Sequence, residues 1–333
     1  MGAAAEVRMA RALRALVGCV LLVSCTAATA WSQATGRTVR IGVLSPGSPG
    51  GTVPVLVETL RDSGWFEGKN AEIVRRWARG DSDALPELAR ELVEAKVDVI
   101  VTYGTSSALA ARDATTIVPI VMAVSGDPVR AGLVASLARP GGNITGNSLV
   151  APELSIKRLE ILREIVPRAR RIALLGNATN PLFAATRLEE ERAASRLGLE
   201  IVTAEITTPK DIESLFQRLA PLRPDALLMS ADPVVFSARA RIIRLATRRR
   251  LPTAGEGREF VEAGALVSYA PSLTALARRA ATTVDRILRG AQPADLPVQQ
   301  PATFELVINR RTANALGITV PPGILLRADD IID

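Results

Sequence analysis

The chain has 333 residues, 48% of them hydrophobic and 23% charged, with 41 Lys and Arg against 34 Asp and Glu for a formal charge of +7. That composition describes one large or two medium globular domains with apolar material for real cores. There is no histidine, and the two cysteines, Cys19 and Cys25, both lie near the N-terminus. The lack of histidine excludes Ser-His-Asp and Cys-His catalysis and imidazole metal sites, and the placement of the cysteines excludes any disulfide or zinc cluster in a domain that starts later.

The basic residues are spread along the chain and interleaved with acids, which reads as an Arg-rich surface and not as a nucleic-acid footprint. The densest cluster, Arg248-Arg249-Arg250, falls at the end of a predicted helix, where cations complement the helix dipole.

Residues 1–34 read as a secretory leader. Arg11 and Arg14 precede an uninterrupted apolar run from Ala15 to Val23, and small residues follow. Two processing routes stay open. Ala28-Thr29-Ala30 and Ser32-Gln33-Ala34 suit ordinary signal peptidase, whereas Leu22-Val23-Ser24-Cys25 resembles a bacterial lipobox and makes Cys25 a candidate lipidation site. Either route predicts export to the periplasm or the outer face of the cell envelope. After the leader, no segment is long and apolar enough to span a bilayer.

From Val39 the elements alternate. "VRIGVLS" is a predicted strand, followed by a helix over about 52–62, the alternating strand "AEIVRRWA", the helix "DALPELARELVEAK" and the β-branched strand "VDVIVTYG". The small-residue helix "TSSALAARDAT" and the strand "IVPIVMAVS" come next. Within "VSGDPVRAGLVASLARPGGNITG" the pattern predicts one short helix after Asp127-Pro128, then a turn at Pro140-Gly141-Gly142-Asn143. The alternation restarts with the amphipathic helix "ELSIKRLEILREIVP", the strand "RRIALLGNA" and the helix "PLFAATRLEEERAASRLG", with Gly198 at its C-terminal end. It continues through the strands "LEIVTAEI", "PDALLMSAD", "LPTAGEG" and "GALVSYAPS", a long helix over about 273–289, a tail strand "ATFELVIN" and a short helix "RRTANALG".

Such βαβα repetition predicts an α/β fold of two doubly wound parallel-sheet lobes joined by crossing strands. The expected division puts 37–146 plus about 270–298 in the first lobe and 147–269 plus about 299–333 in the second. A cleft between them would close by hinge motion around a ligand.

The stretches "RIGVLSPGSP", "VDVIVTYGTSSALAA", "IVPIVMAVSGDPVRAGLVASLARPGGNITG", "KRLEILREIVPRARRIALLGNATNP", "RRAATTVDRILRGAQPADLPVQQPATFELVIN" and "TANALGITVPPGILLRADDII" together resemble the exported substrate-binding proteins of ABC transporters, in the group labelled tryptophan/tyrosine or "sugar" substrate-binding. The resemblance covers nearly all of the chain from Arg37 to Asp333. It implies a type I periplasmic-binding-protein fold, a small-molecule ligand bound without chemistry and without a cofactor or metal, ABC permease and ATPase subunits as partners, and a monomer. Amino acids are the ligand class it suggests. A periplasmic sensor partner of a membrane receptor is the alternative, and an enzyme using Asp127, Asp232 or Glu256 as acid or base is a more distant one.

Clefts of this architecture lie at the C-terminal ends of strands, where helix N-termini offer free N–H groups. The candidate ligand residues are therefore Ser45 and Pro46, then Gly104, Thr105 and Ser106, then Ser125, Gly126 and Asp127 in the first half. Asn180, Asp232, Glu256 and Tyr269 are the candidates in the second. Thr105 and the amides beside it suit a ligand carboxylate, and equally an ordinary helix cap. Asp127 suits a ligand ammonium or, again, a cap. Tyr269 suits stacking on a ligand ring or packing at the hinge.

Overall fold

The structure, a computed structural model, describes residues 37–149 and 151–333. The predicted leader, Cys25 included, lies outside the described residues.

The first lobe holds β1 (Val39–Ser45), α1 (Val53–Asp62), β2 (Ala71–Trp77), α2 (Leu85–Glu94), β3 (Val99–Tyr103), α3 (Thr105–Ala114), β4 (Ile120–Ser125) and β5 (Ile144–Ser148). Its five strands lie in the order β2-β1-β3-β4-β5, and all their pairings are parallel. The apolar runs seen in the sequence are buried strands: every residue of β3 is buried, as a parallel sheet covered on both faces requires.

The second lobe follows with α4 (Ala151–Ile165), β6 (Arg171–Asn177), α5 (Pro181–Arg196), β7 (Glu200–Ile206), α6 (Ile212–Leu219), β8 (Ala226–Met229), α7 (Pro233–Arg248), β9 (Thr253–Gly255), α8 (Arg258–Glu262) and β10 (Val267–Ala270). The chain then crosses over. Helix α9 (Leu273–Leu288) packs on the first sheet, where Ala280, Ala281, Val284 and Ile287 join Ile41, Val43 and Val101 in one core. The chain returns as β11 (Glu305–Asn309), α10 (Arg310–Leu316), α11 (Pro322–Arg327) and β12 (Asp330–Ile332), giving a seven-stranded sheet in the order β12-β11-β10-β9-β8-β6-β7.

Each sheet carries one apolar core on each face, which is the doubly wound arrangement that the alternating pattern predicts. Chain order also explains the exception to parallel pairing. β10 ends at Ala270, opposite Glu305, where β11 begins, so β11 re-enters from the hinge end and runs antiparallel to β10.

Two local features differ from the sequence pattern. The short helix expected after Pro128 is not formed. In its place a turn closes with Ala131 N donating to the Asp127 carbonyl and Leu133 N to the Pro128 carbonyl, each at 2.9–3.0 Å. Gly132 takes φ +67° there, and Leu133 and Val134 turn into the first-lobe core, so core burial overrides the helical spacing. The tail also holds one more helix and strand than expected, α11 and β12. Pro321-Pro322 starts α11, as proline suits a first helical turn.

Gly146 in β5 has φ +129°, and a Cβ there would lie 2.2 Å from the Met122 carbonyl oxygen of β4. Neither the conformation nor the spacing accommodates a side chain. Gly146→Ala is expected to cost roughly 3 kcal/mol or more, read as a lower urea midpoint, whereas unchanged stability would contradict this strand spacing.

Candidate functional site

A cavity of about 230 Å³ lies between the lobes. The first lobe lines it with Ser45, the loop Ser48–Thr52, Val53, Trp77, Tyr103, Gly104, Thr105, Val124, Gly126 and Leu149, together with Leu273 of α9. The second lobe adds Asn180, Ala231, Asp232, Pro233, Phe236, Ser237, Arg239 and Glu256. Nearly all of these positions follow the C-terminal ends of strands or open the helices after them.

The first lobe contributes small polar groups and backbone. Gly104 takes φ +89°, a conformation that favours glycine, and starts α3 directly. Thr105 Oγ1 accepts from Gly126 N at 3.2 Å and lies 3.5 Å from Ser125 Oγ, so the loops after β3 and β4 are tied together. Ser45 Oγ accepts from Gly47 N at 3.1 Å and shapes the loop after β1.

The second lobe contributes charge. Asp232 is the N-cap of α7, its Oδ1 accepting from Val234 N at 2.7 Å and Val235 N at 3.1 Å. Its Oδ2 accepts from Asn180 Nδ2 at 3.0 Å and Asn177 Nδ2 at 3.3 Å. Burial raises the Asp232 carboxyl above its ordinary value, and these hydrogen bonds oppose that rise. Glu256 is 8% exposed. Burial pushes its carboxyl up to about 8, opposed by the charge of Arg158 and reinforced by Asp232 and Glu259. The aromatic wall is divided between the lobes: Trp77 and Tyr103 on one side, Phe236 on the other, with the Arg239 guanidinium 4.2 Å from the Phe236 ring centroid.

Of the residues singled out in the sequence, Ser45, Gly104, Thr105, Gly126, Asn180, Asp232 and Glu256 line the cavity. Pro46, Ser106, Ser125, Asp127 and Tyr269 are not among its lining residues. Ser125 backs Thr105, as described. Pro46 accepts from Gly80 N at 2.7 Å through its carbonyl. Asp127 caps its own turn, accepting from Arg130 N at 3.0 Å, with Arg130 Nε 3.6 Å away. Tyr269 stacks on Phe304 at 5.8 Å between centroids, where the chain crosses between lobes.

Trp77, Phe236 and Arg239 also line the cavity and are not among the sequence candidates. Phe236 follows Asp232 by four residues, one helical turn into α7, and that spacing was the available signal.

The lobes touch along the cavity rim. Ser48 N donates to Ser237 Oγ at 3.1 Å, Thr179 Oγ1 to Ser82 Oγ at 2.9 Å, and Arg130 pairs with Glu189 at 2.7 Å. A Cβ on Gly104 would lie 2.7 Å from Pro233 Cγ, and one on Gly80 would lie 2.4 Å from Pro209 Cδ. Glycines of one lobe thus meet prolines of the other.

Two α/β lobes with a cavity between them and three chain crossings define a bilobal small-molecule binding protein. The family model described as "ABC transporter substrate binding protein" matches residues 48–332, and the chain belongs to that family. It is 30% identical over 264 residues to a tyrosine-binding protein of Clostridioides difficile, covering 78% of this chain and 75% of that protein. The crystal structure of an ABC domain from Streptococcus pneumonia in complex with L-Trp matches at TM-score 0.79 and 26% identity, over 89% of this chain and 100% of the other. The ligand-free, open structure of a substrate-binding protein with adhesive properties from Clostridium difficile has the same 26% identity but a TM-score of 0.59, over 88% of this chain and 99% of the other. At equal identity the chain matches the liganded structure better, in keeping with lobes that meet at the rim. These relatives are substrate-binding proteins, not enzymes.

Two outcomes follow. A Cβ on Gly47 would lie 2.5 Å from Ser237 Oγ and 3.0 Å from the Pro233 carbonyl oxygen, both on the opposite lobe. Gly47→Ala is expected to leave the melting temperature near that of the parent and to enlarge the radius of gyration in X-ray scattering; an unchanged radius would contradict the rim contact. The second outcome concerns pH. The Glu256 carboxyl sits at about 8 in the folded protein against an ordinary 4.5. The unfolded chain therefore loses this proton first, and the stability it contributes, complete below the ordinary value, falls as pH rises toward 8. Glu256→Gln is expected to flatten that decline in urea titrations across the window, and an unaltered slope would contradict the assignment.

Proposed function

We propose that this chain is the exported solute-binding subunit of an ABC importer and that it captures one amino acid with an aromatic side chain in the cavity between the lobes. The observation that carries this reading is the composition of the cavity wall. Aromatic faces at Trp77, Tyr103 and Phe236 accompany two buried carboxylates, Asp232 and Glu256, in a space of about 230 Å³. That volume suits a single amino acid better than a peptide or an oligosaccharide. The relatives described as binding tyrosine or L-Trp favour the same ligand class.

In this reading Glu256 and Asp232, rather than Asp127, receive the ligand ammonium, because they line the cavity and Asp127 is paired with Arg130. The amides at the start of α3, with the Thr105 hydroxyl, receive the carboxylate. The aromatic residues flank the ring. The basic and apolar leader supports export to the periplasm or the outer cell face, and Cys25 offers a lipid anchor there. An ABC permease and its ATPase are the proposed partners.

Calorimetric titration of the purified protein with L-tryptophan, L-tyrosine, L-phenylalanine and myo-inositol tests the reading. An aromatic amino acid is expected to bind and myo-inositol not to. Glu256→Gln removes one partner of a buried charge pair, which costs on the order of 2–5 kcal/mol, so affinity for the amino acid should fall well over tenfold. Thr105→Ala should cost less, since neighbouring amides still face the carboxylate. Preference for the uncharged polyol, or full affinity in Glu256→Gln, would overturn the proposal.

A further inference from the structure

Behind the cleft the second lobe encloses a second, smaller cavity of about 20 Å³, with Ser155, Arg158, Glu190 and Ser230 in its wall. Asn180 and Ala231 line both cavities. Arg158 of α4 and Glu190 of α5 are each 2% exposed, and Ser230, just after β8, is 8% exposed. Four of their atoms have no hydrogen-bond partner among the described residues: Arg158 Nε and Nη2, Glu190 Oε2 and Ser230 Oγ. The other Glu190 oxygen accepts from Ser155 Oγ.

Buried groups of this kind are costly when unpaired and are rarely left so. Their chemistry is complementary. Two N–H donors, one carboxylate acceptor and one hydroxyl that can do either match the four hydrogen bonds of a single water. The space also suffices, since a water needs roughly 10–15 Å³ on this measure.

Arg158 also acts on the cleft, for its neighbour Leu159 packs in one core with Ala254 of β9, two residues before Glu256. Burial disfavours its charged form, and the charges of Glu256 and Glu190 counter that effect. The charged groups acting on Glu256 are Arg158 from α4, Asp232 at the start of α7 and Glu259 from α8. Glu259 is in turn influenced by Glu262 on α8, by Arg239 of α7 and by Glu305 of β11. Among these, Arg158 is the cation that acts directly on Glu256.

We propose that the smaller cavity is a one-water site, and that Arg158, held through that water to Glu190 and Ser230, is a positioning residue that turns its positive charge toward Glu256 and so eases the proton's departure when a ligand ammonium arrives. The proposal rests on the ammonium reading of the cleft given above. Without Arg158, Glu256 retains its proton to higher pH and attracts the ammonium only there. The loss is then a displaced pH profile. A purely structural arginine would instead change stability and leave the profile where it was.

The test has two arms on the purified protein. In the first, the Glu256 carboxyl carbon of ligand-free, ¹³C-glutamate-labelled protein is followed by NMR between about pH 5 and 10, with Glu256→Gln identifying its signal. Arg158→Met is expected to raise the midpoint by about one unit or more, and Arg158→Lys to return most of that shift. Ser230→Val, which fills the water site, should move the midpoint the same way by less. These last two variants keep the test decisive if Arg158→Met does not fold. A midpoint unchanged in Arg158→Met or Ser230→Val, with a lowered melting temperature, would overturn the proposal.

In the second arm, L-tyrosine is titrated calorimetrically into the parent and Arg158→Met. Arg158→Met should bind about tenfold more weakly at neutral pH, and the gap should narrow as pH approaches 9. A loss of equal size at every pH would also count against the proposal. A parent whose Glu256 titrates as expected but which binds no L-tyrosine would overturn the amino-acid reading and leave the effect of Arg158 on Glu256 standing.

Discussion

Burial of carboxylates is the constraint around which the cleft face of the second lobe is organised. Asp232 and Glu256 both lie in its wall, almost wholly out of solvent. An isolated ionised carboxylate in such a place is strongly disfavoured. Asp232 is relieved by four donors, two amides of α7 and two asparagine side chains. These donors fix the loops after β6 and β8 against each other. Among the described residues Glu256 has no comparable set, and the burial that raises its carboxyl to about 8 is countered chiefly by the charge of Arg158. The acids thus outnumber the cations acting on them, and a cationic ligand group would restore the balance.

The two lobes contribute unequally. The first presents hydroxyls, backbone and two aromatic rings, with Gly104 and Gly126 letting the main chain come close. The second presents the charge. The rim contacts hold these complementary surfaces against each other. The Gly104–Pro233 and Gly80–Pro209 approaches leave no room for a side chain. A ligand that adds contacts to both faces favours the closed form by its differential affinity for it.

Much of the architecture was legible in the sequence because parallel strands buried on both faces read as continuous apolar runs and helices as amphipathic stretches between them. The crossing after Tyr269 followed from a helix and a strand left over at the end of the second half. Less legible was anything decided by tertiary contact. The stretch after Pro128 has helical spacing, yet Leu133 and Val134 are drawn into the first core and the helix does not form. Asp127 and Asp232 look alike in sequence, each an Asp-Pro after a strand. Their difference lies in neighbours far along the chain: Arg130 and Glu189 draw one charge cluster to the rim, whereas Asn177 and Asn180 hold Asp232 in the cavity wall. Arg158 and Glu190 sit in helices whose periodicity gives no sign that a buried polar cavity lies between them.

The central claim is that the cavity between the lobes recognises an amino acid by pairing its ammonium with buried carboxylates of the second lobe. A crystal structure of the complex with L-tryptophan tests it most directly. The account predicts closed lobes, the indole among Trp77, Tyr103 and Phe236, and the ammonium within hydrogen-bonding distance of Glu256 or Asp232. A bound ligand whose ammonium faces solvent or Asp127, with Glu256 and Asp232 paired only to protein, would contradict it.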